Sequence, residues 1–298
     1  MTKIINFAAI DIGSNAARLL IASANANTAE EYPVKSILLR YPLRLGEDVF
    51  KKGEISKTKI QKTVLLMKTY KNLLQLYDIV MVRACATSAM REAKNGAELV
   101  KQVKEKTVIN IEIIDGKEEA KIIFDSHIAD MLDPQKNYLY VDVGGGSTEI
   151  SIISKGSFKN SKSFNIGTLR ILSGKVKKSD FDRMTKWLKS NISDYQQLEI
   201  IGSGGNINKL YRLAGFKEKD KLPVEKLAEV YKNLANYTLE ERIEKLKLRP
   251  DRADVIIPAS EIFMTVSQAA NVEYINVPTI GLSDGIIRSL YTDYLKTK

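Results

Sequence analysis

One histidine, His127, and one cysteine, Cys85, are all that the 298-residue chain holds of either type. A lone imidazole leaves almost no material for a histidine-rich metal centre or a histidine acid–base relay, so proton transfer falls to carboxylates. A lone thiol cannot close an internal disulfide, which points to a reducing compartment and a cytoplasmic location. No window of about 18 uncharged apolar residues exists, so no membrane partner is expected. Asp11 and Arg18 interrupt the apolar stretch near the N-terminus, which therefore reads as a strand rather than a signal peptide. Long Pro/Gly/Ser linkers and low-complexity tracts are also missing, so any domain boundary falls inside structured chain.

What is present is a hydrophobic content of 44%, enough for two ordinary cores, and 46 Lys plus Arg against 36 Asp plus Glu. The net charge of +10 calls for an acidic partner: nucleic acid, anionic membrane or a polyanionic small substrate. Residues 155–189 concentrate the excess, with ten Lys or Arg against Asp180 and Asp182. Phe158, Phe164, Phe181 and Trp187 do not interleave with these charges as base-stacking would require, so nucleic acid is not expected. A chain of phosphates needs only the charge, and a solvated face accounts for the same residues.

Along the chain, residues 4–10, 18–24 and 34–41 read as strands, 56–77 as a long helix, 79–84 and 111–114 as strands, and 116–131 as a helix. The opening pattern then returns. AAIDIGSN (8–15) and LYVDVGGGST (139–148) share an apolar strand, an Asp, a Gly and a small-residue turn, with Asp11 and Asp142 131 positions apart. The repeat predicts two related halves of mixed α/β type, with a boundary near 115–130. Strands near 150–164, helices at 168–193, a strand at 198–201 and mostly helix complete the second half.

Two glycine clusters suit phosphate. Gly144-Gly145-Gly146-Ser147-Thr148 lets backbone N–H groups approach an anion without a Cβ in the way, although a tight hairpin would use the same residues. Gly202-Ser203-Gly204-Gly205-Asn206 opens a helix, whose N-terminal dipole favours an anion. Neither matches a P-loop or a dinucleotide fingerprint. Asp11 and Asp142 can hold Mg²⁺ through few direct contacts, or bond their own turns. Glu149 is placed to orient water beside a phosphate, whereas Glu118 and Glu119 both open a helix and periodicity does not choose between them. Arg18 and Arg91 could fork onto phosphate oxygens or serve surface ion pairs. His127 reads as structural and Cys85 as a small core residue.

Taken together, AAIDIGSNAARLLIA (8–22), VRACATSAMREAKNG (82–96), IDGKEEAKIIF (114–124), YVDVGGGSTEIS (140–151), FNIGTLRI (164–171), IIGSGGNINKL (200–210), DRADVIIPASEIF (251–263) and GLSDGII (281–287) resemble the exopolyphosphatase/guanosine pentaphosphate phosphohydrolase family, within the actin, Hsp70 and sugar-kinase superfamily. The resemblance implies an α/β fold of two ribonuclease-H-like domains flanking a cleft, residues 1–124 with a closing helix at 288–298, and residues 125–287. It implies Glu119 as general base, Glu149 as the residue positioning water, and Asp142 and Asp11 as magnesium ligands. Ser14, Asn15, Arg18, Arg91, Gly145, Gly146 and Ser147 would bind phosphate, with Gly204 and Gly205 on the other wall. The implied reaction is magnesium-dependent removal of the terminal phosphate of inorganic polyphosphate or of guanosine pentaphosphate, by a homodimer. A non-hydrolytic alarmone or polyphosphate sensor and an ATP-dependent small-molecule kinase are the alternatives.

Three features depart from that family. The histidine-rich helical domain of longer members has no counterpart, the second glycine cluster lacks the usual Thr, and Ser283 and Asp284 replace an Arg and a Glu, removing one substrate contact.

Overall fold

The computed structural model describes residues 4–26, 32–125, 132–217 and 220–297. His127 and the end of the helix expected over 116–131 lie outside the described residues. The chain divides into two compact units, Met1–Asp130 with Gly281–Lys298, and Met131–Ile280.

In the first unit, nine consecutive β-compatible residues make β1 (Ile4–Ile12), whose near-continuous burial marks a central strand covered on both faces. It pairs antiparallel with β2 (Ala17–Asn25), which pairs antiparallel with β3 (Val34–Tyr41). On its other side β1 pairs parallel with β4 (Ile79–Ala86), and β4 with β5 (Ile111–Ile113). The resulting order is β3-β2-β1-β4-β5. Helices α1 (Leu45–Lys52), α2 (Lys57–Leu76), α3 (Ser88–Glu92), α4 (Gly96–Thr107) and α5 (Gly116–Ile123) connect or cover these strands. Ser56 caps α2 by accepting from the Lys59 N–H, as its position before the apolar period suggests. The short α1 gave no periodic signal; Gly53, at φ 78°, ends it.

The second unit repeats the plan. β6 (Asn137–Val143) and β7 (Thr148–Ser154) form a hairpin, β8 (Ser157–Phe164) adds to β7, and β9 (Leu198–Ser203) lies parallel to β6. Two three-residue strands, β10 (Lys221–Pro223) and β11 (Tyr274–Asn276), complete the order β10-β11-β9-β6-β7-β8. Both fall in the stretch expected to be mostly helix, since three residues are too few to display a two-residue period. Read from β8, the sheet has the order of the first unit plus one edge strand, and both units are ribonuclease-H-like α/β folds.

Helices α6 (Thr168–Leu172), α7 (Lys178–Ile192), α8 (Gly205–Leu213), α9 (Val224–Ala235), α10 (Leu239–Glu244), α11 (Pro250–Ala253) and α12 (Ile256–Ala270) follow in this unit. Leu139, Val141, Ile150 and Ile152 from the sheet pack with Met184 and Leu188 of α7 and Ile262 and Phe263 of α12. Burial of each such side chain stabilises the unit by about 1.5–3 kcal/mol before entropy is counted. The last helix, α13 (Leu282–Lys296), packs in the first unit, where a Cβ on Gly285 would stand 2.1 Å from the Ile122 carbonyl oxygen. No helix of the described residues is long and apolar enough to cross a membrane.

Candidate active site

The β1–β2 hairpin turn is closed by the Gly13 N–H donating to the Ala16 carbonyl at 3.0 Å. Backbone donors at the start of α1 brace it: Arg44 N–H reaches the Asn15 carbonyl and Gly46 N–H the Ser14 carbonyl, each at 2.9 Å. Ser14 is buried, with its hydroxyl 3.4 Å from that of Ser88. Asp11 stands opposite Arg18 in the hairpin register, and Arg18 Nη1 donates to Asp11 Oδ2 at 2.6 Å. Asp11 is therefore engaged by a guanidinium through Oδ2, with Oδ1 on the Gly13 side.

Arg91, on α3, does not point free. Its Nη1 donates to the Ile114 carbonyl at 2.7 Å, just before the turn that starts α5. Asp115 caps that helix by accepting from the N–H groups of Lys117 and Glu118, both at 2.8 Å. The Glu118 N–H bond above all holds the Asp115 carboxyl below the usual range. The cap sets the phase of the first turn, so the two neighbouring glutamates part company. Glu118 is turned outward into an ion pair with Arg83 at 2.8 Å, whereas Glu119 is 8% exposed. The helix-opening role that sequence allowed for both thus belongs to an outward residue and an inward one.

In the second unit the Gly144–Ser147 segment is indeed a hairpin turn, closed by Gly144 N–H to the Ser147 carbonyl at 3.0 Å. It is also clamped. The Gly144 carbonyl accepts from Thr168 N–H, the Gly145 carbonyl from Leu169 and Arg170 N–H, and the Gly146 carbonyl from Arg170 Nε at 2.7 Å. With these carbonyls engaged by α6, their repulsion toward an anion is absorbed. Gly167 makes the clamp sterically feasible, because a Cβ there would lie 2.3 Å from Gly146 C and 2.5 Å from Ser147 N. Arg170, counted in the basic segment, is buried in this structural task. That segment is not a uniform free track, since Arg183 pairs with Asp180 and Lys162 lies over the Phe164 ring.

Asp142 stands opposite Glu149 on β7 and beside Ser203 on β9. Glu149 is 3% exposed and accepts from Ser163 Oγ at 2.8 Å through Oε1. Gly204, at φ 104°, lies so close that a Cβ would come within 3.1 Å of Asp142 Oδ1. The Gly205 carbonyl accepts from Arg252. The second unit thus gathers Asp142, Glu149, Gly145, Gly146, Ser147, Gly204 and Gly205 around two strand ends. The first gathers Asp11, Ser14, Asn15 and Arg18 at one turn, and Arg91 and Glu119 at the β5–α5 connection.

Sequence reasoning passed over Ser163, Gly167 and Arg252. Counting back from the hairpin would place Ser163 opposite Glu149, but only if the β7–β8 register were known. Cys85 is buried beside Asp11, and burial pushes its thiol up to about 12, so it is an inert core residue. Among the described residues no group of three or more His, Cys, Asp or Glu is arranged to hold a metal ion. The all-oxygen pair Asp142 and Glu149 nevertheless fits a hard cation that keeps most of its waters.

Comparison with known proteins identifies the family. The model of the Ppx/GppA phosphatase family matches residues 37–293. The chain is 30% identical over 282 residues to the bifunctional 3-dehydroquinate synthase/phosphatase of Fusobacterium nucleatum, covering 87% of this chain but only 42% of that protein. It is 27% identical over 313 aligned positions to Exopolyphosphatase 2 of Mycobacterium tuberculosis, covering 95% of this chain and 98% of the relative. The crystal structure of the Aquifex aeolicus member of the Ppx/GppA protein family is similar with a TM-score of 0.75, at 25% identity over 99% of each chain.

Proposed function

The chain belongs to the Ppx/GppA phosphatase family, and from that premise we propose that it is a phosphoanhydride hydrolase that removes the terminal phosphate of inorganic polyphosphate. The observation that carries this reading is the register pairing of half-buried Asp142 with buried Glu149 beside two glycine turns. Two carboxylates directly opposite on neighbouring strands suit a site for a cation, and magnesium at a phosphate site would be that cation. Asp142 would hold the ion, and Asp11 is the corresponding aspartate of the first unit. Magnesium held there would neutralise charge on the phosphate oxygens.

Glu119 takes a proton from water as the oxygen attacks the terminal phosphorus. The bond from that phosphorus to the bridging oxygen breaks, and orthophosphate leaves. Glu149, held through Oε1 by Ser163, would orient the water. Arg18, Arg91, Asn15 and Ser14, together with the N–H groups of Gly145, Gly146 and Ser147 and the Gly204–Gly205 turn, hold the phosphate groups. Phosphoryl transfer asks chiefly for positioning and charge neutralisation, which these groups provide.

Long polyphosphate, short polyphosphate, guanosine pentaphosphate and ATP compared under identical magnesium test the reading. Phosphate release that is fastest from polyphosphate and absent without a divalent ion is expected. Fastest release from guanosine pentaphosphate would reassign the substrate within the same chemistry. Tight binding without release would make the chain a sensor, and ADP formed only with an added acceptor would make it a kinase.

A further inference from the structure

The hairpin turns of the two units are braced in the same way. In the second, the Gly144, Gly145 and Gly146 carbonyls accept from backbone and side-chain N–H groups of α6. In the first, the Ser14 and Asn15 carbonyls accept from the N–H groups of Gly46 and Arg44, at the start of α1. A carbonyl that already accepts a hydrogen bond presents less bare negative charge to an approaching anion.

Arg44 does this from an unusual backbone. Its φ of 51° and ψ of 42° lie in the left-handed region, which glycine, asparagine and aspartate enter far more readily than arginine. A residue so placed persists where its surroundings over-determine it. The Arg44 N–H donates to the Asn15 carbonyl at 2.9 Å, and its Nε to Glu47 Oε1 at 2.6 Å. Its carbonyl accepts from the Glu47 N–H at 3.1 Å and from Lys59 Nζ.

Lys59 runs against the local preferences of a helix start. It stands three residues after the Ser56 cap of α2, where the paired capping motif has Glu or Gln, and a cation in a first turn opposes the helix dipole. Its side chain, 17% exposed, commits all three ammonium donors: to the Arg44 carbonyl, to Glu47 Oε2 at 3.0 Å and to Asp48 Oδ1 at 3.1 Å. A residue that breaks a local preference to hold a left-handed residue of another segment has a task beyond forming its own helix.

We propose that Lys59 is a positioning residue for substrate: it holds Arg44 in the left-handed conformation and, through the two N–H donors of α1, keeps the Ser14–Asn15 turn in the shape that receives a phosphate group. The assignment rests on the phosphoanhydride-hydrolase reading.

Steady-state kinetics on polyphosphate with magnesium, beside thermal melting, tests it. Lys59→Met keeps the aliphatic stem and removes the ammonium. Its KM is expected to rise about tenfold or more, because small displacements of positioning groups are costly. A merely structural lysine would lower the melting temperature and the active fraction at unchanged KM, and that result overturns the proposal. Asp48→Asn breaks one ion pair of the same lysine but not its bond to Arg44, so KM should hold; a rise equal to that of Lys59→Met overturns the route through the Arg44 carbonyl. Glycine at position 44 enters the left-handed region without strain, so Lys59→Met added to Arg44→Gly should raise KM far less than it does alone. An undiminished rise overturns the coupling. If Lys59→Met does not fold, Lys59→Arg decides. It keeps the charge without the compact ammonium, so a raised KM supports the proposal and an unchanged KM overturns it. Wild type that releases no phosphate from polyphosphate sinks the functional reading and this proposal together. Wild-type hydrolysis with an unchanged KM in Lys59→Met removes Lys59 alone.

Discussion

Asp142 faces Glu149 across the β6–β7 hairpin at the register position where Asp11 faces Arg18 across β1–β2. The aspartate is common to both copies and the turn behind it is closed by the same N–H to carbonyl bond at 3.0 Å. What differs is the cross-strand partner, a cation in one unit and an anion in the other. The first pair is joined by a 2.6 Å ion pair, whereas in the second Glu149 accepts from Ser163.

The two glutamates that open α5 should behave oppositely on neutralisation. Glu119→Gln is expected to lower turnover by roughly a hundredfold or more while leaving polyphosphate binding nearly intact. Glu118→Gln removes only an exposed ion pair to Arg83, so stability should change by at most about 1 kcal/mol and turnover should hold. Equal losses in steady-state kinetics would end the distinction.

Ser163→Ala removes the hydroxyl that fixes Glu149 Oε1 at 2.8 Å. The expected result is a fall in kcat of about tenfold at unchanged KM, as for other supporting groups that orient a reactive side chain. In a Glu149→Gln background the same change should have little further effect. Additive losses in that double-mutant cycle would show that Ser163 acts elsewhere.

Gly167→Ala drives a methyl group into the backbone of Gly146 and Ser147. A cost of at least about 1–3 kcal/mol is expected, because neither contact is a flexible side-chain end. Chemical denaturation should register the loss, and phosphate release should fall with it as the turn shifts. A variant as stable as wild type would mean that the clamp is looser than its distances imply.

Glu199 predicts an acid limb of stability. Burial pushes its carboxyl up, but hydrogen bonds from Lys136, Asn276 and Lys221 outweigh this and hold it at about 2. A group depressed in the folded state stabilises above its unfolded value, near 4.5, and that contribution fades as pH falls toward 2. Since the carboxylate is partly solvated, the effect should be about 1 kcal/mol, or roughly 2–4 °C in Tm. Glu199→Gln should therefore melt lower than wild type at pH 7, with the gap closing by pH 2–3. A gap that widens on acidification contradicts the sign.

The sequence by itself determined a great deal. A repeated strand–Asp–turn–strand pattern announces a duplicated α/β fold, and the scarcity of histidine and cysteine confines the chemistry to carboxylates and arginines. Those features are local or compositional, and local patterns survive in one dimension. The structure alone decided that Glu119 turns inward and Glu118 outward, because the Asp115 cap sets the helical phase and the outward face finds Arg83. It alone decided that Arg170 braces a turn rather than lining a basic track, and that Ser163 stands opposite Glu149. Periodicity tells which face a strand residue occupies, but not which strand lies beside it. That neighbour is set by sheet order and register, through hydrogen bonds and packing between residues far apart in the chain.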